Sequence, residues 1–196
     1  MKRTKQDMDA ATYAQALHWA RYFVQYGGQR SLNLAGIGES TMHPDFVRNV
    51  FLAREAVGGE CELVLATNGL LMTPELAAEI APAAPRVFVS LHRPEKAGPA
   101  VEALRRAGIL AGVSADPSIS ATDWAGQIKW HVSAQRGPCP WVKGGWVIAL
   151  SDGRVARCSF DSTGDTCIGT VNDDLSRLTT APHALCAACH LDVGIH

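Results

Sequence analysis

The sequence predicts an α/β fold, a sheet of about four to five parallel strands followed by a small cysteine-rich C-terminal domain. Three observations lead there. Apolar runs about five residues long recur at 32–36, 62–66, 87–91 and 109–113, each followed by a polar or glycine-containing segment, the pattern of strands buried on both faces. The segments between the runs carry apolar residues at helical spacing, so helices alternate with strands and right-handed crossovers make the sheet parallel. Finally, Cys139, Cys158, Cys186 and Cys189 all fall in the last third of the chain.

The elements follow in order. Ala10, Ala14, Leu17, Ala20 and Val24 form one apolar stripe and predict a helix over 9–24. After the first strand, Phe46, Val50, Ala53 and Val57 make a second stripe, with Pro44 expected in the favoured first turn. Thr73 followed by Pro74 is an N-cap with proline at the first helical position. Val101, Leu104 and Ala107 form a stripe that ends at Gly108, a natural residue for leaving a helix. The span 128–134 is a candidate for one more strand, and the turn-rich Gln135, Arg136, Gly137 and Pro138 mark a boundary between domains at 1–135 and 136–196.

Composition narrows the function classes. A chain of 196 residues suits one domain with an appendage or two small ones. Its 47% hydrophobic content and mean hydropathy of +0.01 belong to a folded protein. A net charge of −1 gives no electrostatic footprint for nucleic acid. No signal-peptide core follows the basic first residues, and no apolar run reaches the length of a membrane span. The expected location is the cytoplasm, where thiols stay reduced and cysteine clusters serve metal rather than disulfides.

The cysteines carry the strongest chemical signal. Cys186-x2-Cys189 presents two thiolates on one turn, while Cys139, which opens Cys139-Pro140-Trp141, and Cys158, which follows the turn at 151–154, bring distant strands to the same ion. Four thiolates suit a [4Fe–4S] cluster or a structural zinc ion, and zinc is the competing occupant. Cys186-x2-Cys189-His190 also matches a haem c attachment pattern, but that needs export and leaves Cys139 and Cys158 unexplained. Cys61 is expected to be a buried small hydrophobe, and Cys167 lies where the ligand set needs no member, leaving it at most a spare ligand. Trp130, Trp141 and Trp146 are expected to fill the small core near the first ligand.

In parallel α/β sheets chemistry sits at the carboxyl ends of the strands. Those ends hold Gly36, Gly38, Glu39 and Ser40, then Thr67, Asn68 and Gly69, then Ser90 and His92, then Ser114 and Asp116. Two glycines before a carboxylate let backbone approach a small ligand while Glu39 accepts from an ammonium. Each also has a structural reading: Asn68 and Gly69 make an ordinary tight turn, and Glu39 can act as a helix-start acid. Gly38, Glu39, Asn68 and Ser90 are expected to converge on one pocket.

At this point the chain resembles radical S-adenosylmethionine enzymes with a SPASM-type C-terminal extension. Gly36-Ile37-Gly38-Glu39 followed by His43-Pro44-Asp45-Phe46 resembles the family's Gly-Gly-Glu motif and the helix start after it. Leu65-Ala66-Thr67-Asn68-Gly69 resembles the family's Thr-Asn-Gly strand end, and Val89-Ser90-Leu91 the strand whose serine reaches the adenosyl ribose. The segment 101–109 is similar to the family's helix leading into the next strand. Cys139-Pro140-Trp141, Asp152-Gly153-Arg154-Val155-x2-Cys158, Asp161 and Ile168-Gly169-Thr170-Val171 resemble the SPASM region, which ends in Cys-x2-Cys. The likeness implies a partial (β/α) barrel with a SPASM-like tail, S-adenosyl-L-methionine held by Gly36, Gly38, Glu39, Asn68 and Ser90, and an auxiliary [4Fe–4S] cluster on Cys139, Cys158, Cys186 and Cys189.

One departure limits the expected activity. The family's Cys-x3-Cys-x2-Cys loop belongs before the helix at 9–24, yet no cysteine occurs before Cys61. Residues 1–8 are similar to the segment that follows the third cysteine in relatives. Without those thiolates the catalytic cluster has no seat, so the chain as written is expected to be inactive unless an upstream segment supplies them, and S-adenosylmethionine binding is expected to be weak or lost. A barrel lacking its first strand leaves a parallel edge beside 32–36. The N-terminal helix, a peptide or protein partner, or a second copy in a homodimer is expected to cover it.

Overall fold

The computed structural model describes residues 6–28, 30–35, 38–90, 94–114, 144, 146–158, 161 and 166–174. The chain divides into two compact units, one of Leu17–Ala115 and one that joins Met1–Ala16 to Asp116–His196. The elements are α1 (Ala10–Tyr26), β1 (Ser31–Asn33), α2 (Phe46–Val57), β2 (Glu62–Thr67), α3 (Pro74–Ile80), β3 (Arg86–Ser90), α4 (Pro94–Arg106), β4 (Leu110–Ser114), β5 (Ile148–Ala149), β6 (Arg154–Ala156) and β7 (Cys167–Thr170).

The larger unit is an α/β layer with a four-stranded sheet in the order β1-β2-β3-β4. Every pairing is parallel, with Leu32 opposite Leu63, Leu65 opposite Val87, Thr67 opposite Val89 and Ser90 opposite Ser114. This is the predicted partial barrel, with β2, β3 and β4 within a residue of the predicted runs and β1 ending three residues short of its own. The further strand expected at 128–134 lies outside the described residues. Strand alternation sets the two faces. Leu63, Leu65, Val87 and Val89 on one face are fully buried. The helices contribute Val50, Ala53 and Val57 from α2, Ala77 and Ile80 from α3, and Val101 and Leu104 from α4, all buried too. Burying each such side chain contributes about 1.5–3 kcal/mol. The predicted α2 stripe of Phe46, Val50, Ala53 and Val57 is buried throughout.

The opposite face is mixed. Arg86 pairs with Glu62 at 3.1 Å, and its guanidinium carbon lies 4.8 Å from the centre of the Phe88 ring. Phe88 extends over Gly112, where an added Cβ would stand 3.1–3.2 Å from two ring carbons. Glycine at 112 therefore makes room for the ring. Ser90 follows on the same face by alternation, half-buried.

Local chemistry explains the element ends, and the structure departs from expectation at four places. Thr73 Oγ1 accepts from Leu76 N at 3.2 Å with Pro74 next, as predicted for the start of α3. Strand β1 is short because Asn33 Oδ1 takes the N–H of Ala35 at 2.9 Å and turns the chain. The α2 helix begins at Phe46, so Pro44 precedes it instead of occupying its first turn. There the backbone turns, with His43 Nδ1 accepting from Asp45 N at 3.0 Å. In α1 the predicted stripe shifts: Ala10 and Ala14 are exposed while Leu17 and Trp19 are buried. Trp19 displaces the smaller alanines because its large apolar area gains more from burial. Trp146 is 41% exposed and so does not fill the small core; Trp130 and Trp141 lie outside the described residues.

The smaller unit contains a three-stranded sheet in the order β5-β6-β7, antiparallel throughout. A tight turn links β5 to β6, with Gly153 at φ +81° in the left-handed region that suits glycine. Leu150, Val155 and Val171 form its buried apolar centre. Gln6 Nε2 donates to Ser151 O at 3.3 Å, and a Cβ at Gly153 would touch Thr12 at 3.6 Å, so the N-terminal segment packs on this turn. No helix among the described residues is long and apolar enough to cross a membrane.

Candidate cofactor cleft and thiolate site

Glu39 organises the carboxyl ends of the first two strands. Its Oε1 accepts from Thr41 Oγ1 at 2.6 Å, Thr67 Oγ1 at 2.8 Å and Thr41 N at 3.3 Å, and its Oε2 accepts from Asn68 N at 2.7 Å. Of the roughly four acceptor positions of a carboxylate, those of Oε1 are taken by three donors, while Oε2, with one donor among the described residues, keeps room for another. Thr67, 2% exposed, in turn accepts the Gly69 N–H at 3.1 Å. Ser40 Oγ donates to Leu34 O at 2.8 Å and folds the loop back on its own strand. The acid thus caps the short 3-10 turn Ser40–Met42 and clasps two strand ends together.

The predicted ligand residues divide accordingly. Glu39 and Asn68 are joined directly by the clasp. Gly38 precedes it, exposed, with open space where a Cβ would stand. Ser90 stands one strand further on, outside that network, and among the described residues its hydroxyl makes no hydrogen bond. Gly36, His92 and Asp116 lie outside the described residues. The sequence singled out Glu39 and placed Thr67 at a strand end, but missed Thr41 and the bonds that tie both threonines to Glu39. Their signal was the hydroxyl placed just after Ser40 and just before Asn68.

In the smaller unit Cys158 is half-buried at the exit from β6. Its carbonyl accepts from Asp161 N at 3.2 Å. Asp161, 2% exposed, accepts from Thr166 N and Oγ1 at 2.6 and 2.8 Å, and Arg157 N donates to Thr166 O at 3.2 Å. These bonds fix the backbone on either side of Cys158. Cys139, Cys186 and Cys189 lie outside the described residues. Among the described residues no three His, Cys, Asp or Glu side chains stand together as a metal site.

The other cysteines are quiet. Cys61 is buried and desolvation pushes its thiol pKa up, as expected of a small core residue. Cys167 is raised chiefly by burial, with Arg154 acting in the opposite sense. Arg154 itself is tied to Asp152 by Nε and Nη2, both at 2.8 Å.

No protein-family model and no curated protein matches the sequence. Solved structures do. The chain is similar to BtrN in complex with AdoMet and 2-DOIA, at TM-score 0.67 and 15% identity, over 87% of this chain and 68% of that one. It is also similar to native anSMEcpe with bound AdoMet, at TM-score 0.61 and 13% identity, over 89% and 72%. With AdoMet and the Cp18Cys peptide bound, anSMEcpe matches at TM-score 0.59 and 14% identity, over 93% and 78%. The fold is that of radical S-adenosylmethionine enzymes.

Proposed function

We propose that this chain is a radical S-adenosylmethionine/SPASM-type iron–sulfur protein, with a nucleoside-sulfonium cleft at the strand ends and an auxiliary four-thiolate centre in its smaller unit. The observation that carries the reading is the Glu39 clasp. It joins the two strand-end loops in which the sequence placed the ligand residues, on a fold shared with AdoMet-bound proteins.

The residues fit such a ligand. Ser90 offers a half-buried hydroxyl with no hydrogen-bond partner among the described residues, suited to a ribose hydroxyl. Gly38 leaves the backbone approachable, since nothing stands where its Cβ would be. Glu39 orders the loops and thereby presents the Asn68 turn, and its Oε2, with a single donor among the described residues, keeps room to accept from the ligand's ammonium. Cys139, Cys158, Cys186 and Cys189 would hold the auxiliary cluster, with zinc as the competing ion. A bound [4Fe–4S] cluster supplies one-electron chemistry. These 196 residues contain no Cys-x3-Cys-x2-Cys, so the polypeptide alone is expected to bind S-adenosylmethionine weakly and not to cleave it.

Anaerobic reconstitution with iron and sulfide tests the reading. About four iron atoms per chain are expected, reduced to fewer by Cys158→Ser. Calorimetry is expected to show weak AdoMet binding that Ser90→Ala weakens further. Absence of both iron and zinc together with no measurable AdoMet binding would sink the proposal.

A non-catalytic partner-binding role is the second reading, favoured by β1 ending the order of the described sheet. A peptide, a protein segment or a second copy of the chain would extend the sheet there. Sedimentation of the purified chain separates these: a dimer supports self-pairing, and a monomer directs the search to a heterologous partner.

A further inference from the structure

The two oxygens of Glu39 are used unequally. Oε1 takes three donors, the hydroxyls of Thr41 at 2.6 Å and Thr67 at 2.8 Å and the Thr41 N–H at 3.3 Å. Among the described residues Oε2 takes one, the Asn68 N–H at 2.7 Å. The Thr67 hydroxyl has no freedom to turn elsewhere. The residue is 2% exposed, and its oxygen already accepts the Gly69 N–H at 3.1 Å. Its one proton therefore goes to Glu39, since a hydroxyl has no second to give. Thr41, also buried, is tied to the same oxygen through both its side chain and its backbone. The last torsion of a glutamate is broad on its own. These bonds, not the side chain's own preference, fix the plane of the carboxylate.

We propose that Thr67 and Thr41 are positioning residues that keep the open acceptor position of Glu39 on Oε2, and so make the cleft selective for a nucleoside sulfonium bearing an ammonium group. The inference rests on the S-adenosylmethionine reading of the strand-end cleft and names what decides its specificity. A carboxylate can only accept. With Oε1 saturated by the threonines, the position left on Oε2 is complemented by an N–H of the ligand. A site built to hydrogen-bond such a group rejects an analogue lacking it, because its own polar atom is then left unpaired. The two hydroxyls act through Glu39 and not on the ligand. They stand on separate loops, Thr41 in the turn after β1 and Thr67 at the end of β2. The acceptor is therefore aimed only when both loops are in place.

The test uses the full chain and two probes, AdoMet and its des-amino analogue, which keeps the adenosyl, sulfonium and carboxylate groups. Ligand-observed NMR reads both affinities in the weak range expected of this chain. The parent should prefer AdoMet. Thr67→Val keeps the shape of the side chain and removes its hydroxyl. It should weaken AdoMet about tenfold, the scale of one hydrogen bond to a charged group, and leave the des-amino analogue nearly unchanged. Thr67→Ser, which restores the hydroxyl, should recover the preference. Thr41→Val should lower the preference as well, and it carries the test if Thr67→Val does not fold. Equal losses for the two probes, or no rescue by serine, assign the threonines a purely structural role and overturn the proposal. An unchanged preference in both valine variants overturns it while leaving the cleft reading standing, as does a parent that binds the two probes equally. A parent that binds neither probe overturns the cleft reading and this inference with it.

Discussion

A single carboxylate holds two loops of this protein in place, and its loss should be felt far beyond one side chain. Glu39→Ala removes the acceptor for four internal donors, one of them the hydroxyl of buried Thr67. Leaving a buried donor unsatisfied costs about 1–3 kcal/mol, so a loss at the upper end of that range is expected in denaturant titrations. Glu39→Gln, which keeps acceptance at one oxygen, should lose less. Ser90→Ala should leave stability within about 0.5 kcal/mol of the parent while still weakening AdoMet binding, which separates ligand contact from scaffold. Asp152 gives a pH signature. The hydrogen bond from Arg154 holds its pKa below the ordinary 3.8, so the pair stabilises the β5–β6 turn above that pH and the contribution fades as pH falls through the lower folded value. Proteolysis of the turn should therefore rise under acid in the parent, and be less acid-dependent in Asp152→Asn.

At the scale of elements, the most exacting contact is the one between β3 and β4. A methyl group at Gly112 would press on the Phe88 ring at 3.1–3.2 Å, and overpacking of this kind costs about 1–3 kcal/mol. Gly112→Ala should destabilise the sheet, and Phe88→Leu in the same chain should recover part of the loss in a double-mutant cycle. This contact was not legible in the sequence, where Gly112 sat unremarked in an apolar run, because it depends on register between strands. What was legible follows from periodicity and local capping. The four strands, the buried α2 stripe and the Thr73 cap all rest on interactions within a few residues. The α1 face was misjudged at Ala10, Ala14 and Trp19 because tertiary packing chose among several apolar residues. Likewise, Glu39 was visible as a charge after glycine, but its partners Thr41 and Thr67 needed two loops to be brought together.

For the whole molecule, the smaller unit has a thin apolar centre in Leu150, Val155 and Val171. A unit so poor in core depends on a staple, and metal binding then becomes folding free energy. Cys158→Ser, or removal of metal by a chelator, should speed amide exchange around Leu150, Val155 and Val171. The parallel sheet, whose Leu63, Leu65, Val87 and Val89 are fully buried, should exchange as slowly as before. Equal protection in parent and variant, with no metal found in either, would mean that the cysteines contribute nothing to folding.

The hydrogen bond from Gln6 to Ser151 and the packing of Thr12 against Gly153 have a consequence for synthesis on the ribosome. Residues 6–16 belong with a partner that is not translated until about 140 residues later, the separation of Thr12 from the turn at Ser151–Gly153. The α/β unit, contiguous from Leu17 to Ala115, can close as soon as it clears the exit tunnel. The amino-terminal segment must wait in an unfinished state while the rest of the chain emerges. Stalled nascent chains long enough to release residue 115 but not residue 151 should therefore show a protected sheet with protease-sensitive residues at 6–16. Chains long enough to release residue 174 should bury both together. A stretch that is made before the α/β unit yet finds its place after it is a natural point for a chaperone to hold.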